Sequence, residues 1–234
     1  MILNTIQNED AFKWIKSIED NSIDLILIDP PYEIAERRQL EGGIESLRLN
    51  YDFGEWDYNF KNFDKLLIDL YRVLKKSGTI ICFYDLYKIT YLKDWLEKVG
   101  FTQIRFIEYI KTNPVPINSK YNYLTNAREI ALTAVKGGSS TFNSEYDNGI
   151  YYFPINHEKG RFHTTQKPLS LIEALINKHS NIGDIVLDCF MGSATTAVAC
   201  QNNRRNFIGC EIDKTYYEKS LQRLKINQKP KSLF

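Results

Sequence analysis

Two short strings in this chain gather residue types that can do chemistry. The first, Asp29-Pro30-Pro31-Tyr32, directly follows the run Ile23-Asp24-Leu25-Ile26-Leu27-Ile28. A proline pair fixes the local backbone, and with it the directions of the Asp29 carboxylate and the Pro30 carbonyl. Two acceptors held in that way can grip the hydrogens of an amine, while Tyr32 offers an aromatic face on which a flat ring can stack. The second string is Asp188-Cys189-Phe190-Met191-Gly192-Ser193-Ala194-Thr195-Thr196, which follows another apolar run. A glycine there lets the backbone approach a cofactor closely. The G-x-G-x-x-G fingerprint of nicotinamide and flavin sites is not met, because Gly192 is the sole glycine of the turn. A further acid, Glu211, ends Asn206-Phe207-Ile208-Gly209-Cys210, where a carboxylate is placed to accept from both hydroxyls of a ribose. Plainer readings stand beside these. Asp29 to Tyr32 also reads as a strand-ending turn with an aromatic plug, Glu211 as a solvated strand-end acid, and Asp10 as the N-cap of the helix after it.

The elements that must position these residues follow from hydrophobic patterning. Residues 23–28 form a nearly continuous aliphatic run, the pattern of a strand buried on both faces, and the proline pair ends it. Before it come a short extended start at residues 1–6 and a helix through Phe12, Trp14, Ile15 and Ile18. Residues 33–60 are polar, contain Gly42, Gly43 and Gly54, and read as a long mobile loop after the first string. Phe63, Leu66, Leu67, Leu70, Val73 and Leu74 recur at helical spacing, and Ser77-Gly78 stops that helix. A strand at 79–84, a helix at 86–99 closed by Gly100, and strands at 102–111 and 129–136 come next. Residues 137–162, rich in Gly, Ser, Tyr and Asn, read as an inserted segment. A helix at 168–179, a strand at 184–188, a helix carrying Ala197, Val198 and Cys200, and the strand 206–211 complete the pattern, before a basic tail. Alternating strands and helices predict a mainly parallel, doubly wound α/β sheet, in which ligands bind beyond the carboxyl ends of the strands.

With 234 residues, 43% of them hydrophobic, the chain can bury one substantial core, so a single domain spanning 1–234 is expected. Thirty basic against 29 acidic residues leave a net charge of +1. That balance gives no global pull toward a polyanion, and a nucleic-acid surface must be a local patch. Arg37, Arg38, Arg48, Lys111, Lys120 and Arg128 follow candidate strand ends and are candidates for it. Cys82, Cys189, Cys200 and Cys210 form no C-x-x-C pair, which fits the reduced thiols of a cytoplasmic protein. No signal peptide is read at the start, and no apolar stretch approaches the roughly 20 residues that span a bilayer, so no membrane partner is expected. The three histidines suggest no metal site, and His163 reads as a loop histidine.

On these residues the chain resembles the amino-methyltransferases of DNA. Asp29 to Tyr32 resembles that family's catalytic motif and Asp188 to Thr196 its cofactor motif. Their order along the chain is similar to the permuted β class. His163-Thr164-Thr165-Gln166-Lys167-Pro168, Gly209-Cys210-Glu211 and Asn8-Glu9-Asp10-Ala11 resemble further motifs of that class, and Tyr51 to Asp57 and Asn113 to Pro116 resemble its small bacterial adenine enzymes. The resemblance implies a seven-stranded, Rossmann-like methyltransferase sheet with circularly permuted motif order. It implies S-adenosyl-L-methionine as cofactor and methyl transfer to N6 of an adenine flipped out of double-stranded DNA. Asp29, Pro30, Pro31 and Tyr32 are then catalytic. Asp10, Thr165, Gln166, Lys167, Asp188, Phe190, Met191, Gly192, Ser193, Thr195 and Glu211 hold the cofactor. Among them Asp10 takes its adenine amino group, Glu211 its ribose, and Thr165 and Lys167 its methionine carboxylate. A bacterial or phage source, a homodimer and a restriction endonuclease acting on the same site are also implied, with 137–162 serving target recognition or dimerisation. Two departures stand out: Cys189 where the family usually has Pro, and Ala194 where it has a second Gly. Cytosine-N4 methylation is the alternative within the family, which more often places Ser at the Asp29 position for that reaction. A catalytically idle cofactor- or DNA-binding subunit is the alternative outside enzymes; Asp29 and Tyr32 argue against it, while Ala194 leaves it open.

Overall fold

Strand β2 (Ile23–Ile28) is buried at every residue except Asp24, and it lies near the middle of an eight-stranded sheet. The structure, a computed structural model, describes residues 1–31, 62–114, 126–155, 162 and 166–227. In chain order the other strands are β1 (Thr5–Asn8), β3 (Leu74–Tyr84), β4 (Thr102–Lys111), β5 (Arg128–Val135), β6 (Ile150–Phe153), β7 (Ile185–Asp188) and β8 (Asn206–Glu211). They lie in the order β1-β8-β7-β2-β3-β5-β4-β6. Pairing is parallel from β1 through β8, β7 and β2 to β3. Only β5 is reversed among the described strands, antiparallel to both β3 and β4.

Alternation along the central strands explains why helices cover both faces. Ile26 and Ile28 of β2, with Ile80 and Cys82 of β3, face a core built with α1 (Ala11–Trp14), α2 (Phe63–Val73) and α3 (Ile89–Val99). Leu25, Leu27, Ile81 and Phe83 point the other way, into a core with α4 (Leu169–His179), α5 (Thr195–Asn202) and α6 (Lys214–Asn227). Each fully buried aliphatic side chain contributes about 1.5–3 kcal/mol. Helix α5 is buried from Thr195 to Cys200, and Cys189, Met191, Ser193 and Ala194 of the turn that precedes it are buried too. No helix of the described residues is long and apolar enough to cross a membrane, and all four cysteines are buried free thiols.

The doubly wound α/β expectation holds, with differences of detail. The sheet has eight strands rather than seven, because part of 137–162 forms β6. That strand pairs parallel with β4, Glu108 opposite Ile150 through Lys111 opposite Phe153. Helix α2 ends at Val73, because Leu74 turns extended (φ −70°, ψ 136°) and pairs with Ile23. Helix α3 begins at Ile89 rather than residue 86, because the Asp85 carboxylate accepts from Tyr87 N–H at 2.7 Å and closes a turn first. The first helix is a single turn continued by a 3₁₀ turn (Ile15–Ser17). The expected loop 33–60 lies outside the described residues.

Candidate active site

Strands β2 and β7 are neighbours, with Ile26 opposite Leu187, so both strings emerge side by side at the carboxyl edge of the sheet. The chain leaves β2 toward β3 on one side and β7 toward β8 on the other. That makes the gap between them the switch point at which open α/β sheets bind ligands.

Asp29 follows the last residue of β2, and the Lys167 ammonium donates to its Oδ2 in a short ion pair. Lys167 lies just ahead of α4, is only 9% exposed, and has its ammonium 4.9 Å from the centre of the Phe83 ring. The same ammonium stands 2.9 Å from Glu129 Oε2 on β5. Glu129 Oε1 in turn pairs with Lys111, at the end of β4, at 2.8 Å. Burial pushes the Glu129 carboxyl up, but Lys167 and Lys111 outweigh it and hold the group well below the usual carboxylate range. Burial likewise disfavours the Lys167 cation, and Asp29 and Glu129 outweigh that effect.

The second string folds into a tight turn between β7 and α5. Asp188 Oδ1 accepts from Phe190 N–H at 3.0 Å. Burial raises the Asp188 carboxyl to about 7, with Asp29 and Glu211 adding to the rise and hydrogen bonds from Thr196 and Phe190 opposing it. Glu211, ending β8, accepts from Gly192 N–H at 2.7 Å and Asp213 N–H at 2.9 Å. Burial raises its carboxyl despite those donors. A side chain at Gly209 would sit 2.1 Å from Met191 Cε and 2.4 Å from the Asp188 carbonyl, so glycine is what lets the turn fold down onto β8. Ala194, buried, has φ 60°. It occupies the left-handed conformation that suits glycine, at a cost of about 1–2 kcal/mol. The departure at 194 therefore keeps the turn and carries its strain.

Asp10 caps α1, its carboxylate accepting from Lys13 N–H at 3.2 Å. It stands beyond the end of β1, where Asn8 pairs with Glu211 in register and donates to the Glu211 carbonyl at 2.8 Å. Ser193 and Thr195 share a hydroxyl contact of 3.1 Å. Arg223 of α6 donates to the Ser193 carbonyl and to Thr195 Oγ1, each at 2.9 Å. The fold thus gathers Asp29, Lys167, Asp188, Phe190, Gly192 and Glu211 at neighbouring strand ends, with Pro30, Met191 and Gln166 buried among them. Tyr32, Thr165, His163, Arg37, Arg38, Arg48 and Lys120 lie outside the described residues. Lys111, read as a groove cation, is 15% exposed and committed to Glu129; the other described candidate, Arg128, is exposed. Sequence reasoning missed Glu129 and Arg223. The one signal for Glu129 was a carboxylate directly ahead of the apolar run Ile130-Ala131-Leu132.

The donor set suits an adenosyl sulfonium amino acid: acids at adjoining strand ends for hydroxyl and ammonium groups, above a glycine turn. A family described as DNA methylase matches residues 23–222. The Type II methyltransferase M.HpaI of Haemophilus parainfluenzae is 32% identical over 244 residues, covering 92% of this chain and 72% of its own. The Type II methyltransferase M2.DpnII of Streptococcus pneumoniae is 31% identical over 242 residues, covering 93% and 88%. The crystal structure of an M1.HpyAVI–SAM complex superposes with a TM-score of 0.71 at 32% identity, over 94% of this chain and 98% of that one. The cytosine-N4-specific PvuII DNA methyltransferase shares the fold, with a TM-score of 0.71 at 17% identity over 98% of this chain and 89% of that one.

Proposed function

This chain belongs to the DNA methylase family and is an S-adenosylmethionine-dependent DNA methyltransferase; on that premise we propose that its target is N6 of an adenine flipped out of double-stranded DNA. The observation that carries this reading is the Asp29 carboxylate, set by a proline pair at the switch point and next to the Asp188–Gly192 turn.

The amino nitrogen of adenine is a poor nucleophile, because its lone pair is delocalised into the ring. The Asp29 carboxylate and Pro30 carbonyl, accepting from its two hydrogens, pull it toward tetrahedral geometry and localise that pair. Bound S-adenosylmethionine supplies an already activated methyl group, so the protein's task is to position and to exclude water. The target is out of reach inside a duplex, which requires flipping, and Tyr32 is by type a stacking face for the extruded base. In this reading Glu211 takes the cofactor's ribose hydroxyls and Asp10 its adenine amino group. Asp188, Phe190, Met191, Gly192, Ser193 and Thr195 line the turn beneath the cofactor, and Thr165, Gln166 and Lys167 lie on its methionine side.

The test is transfer from labelled S-adenosylmethionine to unmethylated genomic DNA, followed by nucleoside analysis. Label in N6-methyladenine is expected, with Asp29→Ala lowering transfer by about 10³-fold or more and leaving cofactor affinity within a few-fold. Label in N4-methylcytosine overturns the choice of base. Cofactor binding with no transfer to any DNA points to an idle subunit. A homodimer using residues 137–162, and a restriction endonuclease reading the same site, are the partners this reading implies. Sedimentation with and without DNA tests the first.

A further inference from the structure

Four charged side chains of alternating sign run inward from β4: Lys111, Glu129, Lys167 and Asp29. They come from β4, β5, the segment ahead of α4, and the end of β2. Their convergence is built by strand pairing, since Glu129 opposes Tyr109 two residues before Lys111. The chemistry of Asp29 makes two demands on its surroundings. Its carboxylate must be held in one position, which the Lys167 ammonium does. Yet a cation devoted to it alone would draw off the charge with which it must grip an amine. An ammonium has three donors and can serve more than one anion. Here Glu129 Oε2 stands 2.9 Å from that ammonium, and Lys111 secures the other Glu129 oxygen at 2.8 Å.

We propose that Glu129 is a positioning residue for methyl transfer: it holds the far side of the Lys167 ammonium, fixing that cation against Asp29 while dividing its charge, so that Asp29 is held in place and still accepts strongly from the amine. The antiparallel strands β4 and β5 thereby take part in the reaction without touching the substrate. Lys167 serves the catalytic carboxylate before it serves any cofactor group. This inference rests on Asp29 being the acceptor for the amine, and the test separates the two.

Single-turnover methyl transfer at saturating DNA and S-adenosylmethionine is measured for Glu129→Gln, Glu129→Asp and the double variant Glu129→Gln with Lys111→Gln. Cofactor affinity is measured calorimetrically and stability by thermal melting. Glu129→Gln is expected to slow transfer by about tenfold or more, with the cofactor Kd within about threefold. Glu129→Asp recovers most of the rate. The double variant balances the buried charges again, so its melting temperature returns toward that of the parent while transfer stays slow. It also covers the case in which Glu129→Gln alone fails to fold. The proposal is overturned if transfer by Glu129→Gln stays within about twofold of the parent. It is equally overturned if the loss lies in cofactor affinity, which would make Glu129 a support for cofactor binding, or if rate and stability recover together in the double variant, which would make its role structural. Asp29→Asn in the same assay tests the underlying reading, since full transfer by that variant removes Asp29 from the chemistry whatever Glu129 does.

Discussion

Asp188 is buried, lies near the acids Asp29 and Glu211, and has its carboxyl raised to about 7. A carboxyl whose folded pKa exceeds its unfolded value binds protons more tightly in the folded state. Its contribution to stability is therefore complete below about pH 4 and is lost as pH rises through 7. Asp188→Asn keeps an acceptor for Phe190 N–H and removes the charge. In cofactor-free protein the variant should melt higher at pH 8, by a gain of at most a few kcal/mol, and show little gain at pH 4. Methyl transfer should fall at the same time, because the proposed cofactor site loses one of its carboxylates. Equal gains at both pH values would show that the charge of Asp188 is not what strains the fold. Glu129 has the opposite sign: Lys167 and Lys111 lower its folded pKa, so its contribution is present at neutral pH and lost on acidification below about 4.5. Asp188 and Glu211 were legible as strand-end acids from the apolar runs before them. The role of Glu129 was not, because nothing in its neighbourhood along the chain names the lysine it meets.

At the scale of elements, β6 is the piece that patterning least foretold. Four residues with alternating exposure carry too short a signal to be told from loop. What holds the strand is its preceding turn. Asp147 accepts from Gly149 N–H at 2.6 Å and from the Tyr151 hydroxyl at 2.9 Å, and forms an ion pair with Lys178 of α4. Asn143 donates to the Ser180 carbonyl at 2.8 Å, just past the same helix. Asp147→Ala should therefore release β6 locally, at about 1–3 kcal/mol. Hydrogen exchange should quicken at Ile150–Phe153 while β2 and β7 keep their protection. Uniform loss of protection across the sheet would show that β6 is a structural support of the whole fold rather than an added edge. The longer strands and amphipathic helices were foretold within a few residues, because periods of 2 and 3.6 are written locally.

For the molecule as a whole, charge balance constrains how DNA is held. The net charge is +1, and Arg72, Lys75, Lys93, Lys111, Lys167 and Lys178 are each engaged with acids of their own chain. A near-neutral chain gives no broad pull on a polyanion, so DNA is held by a local patch and binding should depend modestly on salt. A plot of log affinity against log salt is expected to have a slope of about −3 to −5, as for a few phosphate contacts. Fluorescence anisotropy titrations with a short duplex measure it. A slope steeper than about −8 would show instead that many lysines and arginines gather on one DNA-facing surface.

Local physics wrote the central strand, the proline pair that ends it, the glycine turn before α5 and the strand-end acids into the sequence. Apolar period, proline and glycine act over a few residues and need no partner to be recognised. The two strings and their order along the chain carry its resemblance to the family. Tertiary structure alone decided that β5 runs backward, that β6 closes an edge, and that Arg223 ties down the turn before α5. It also decided that Lys167 reaches Asp29 from 138 residues away and meets Glu129 and Lys111 there. Such meetings depend on which strands become neighbours. That choice is settled by packing two cores against one twisted sheet, not by the pattern within any single segment.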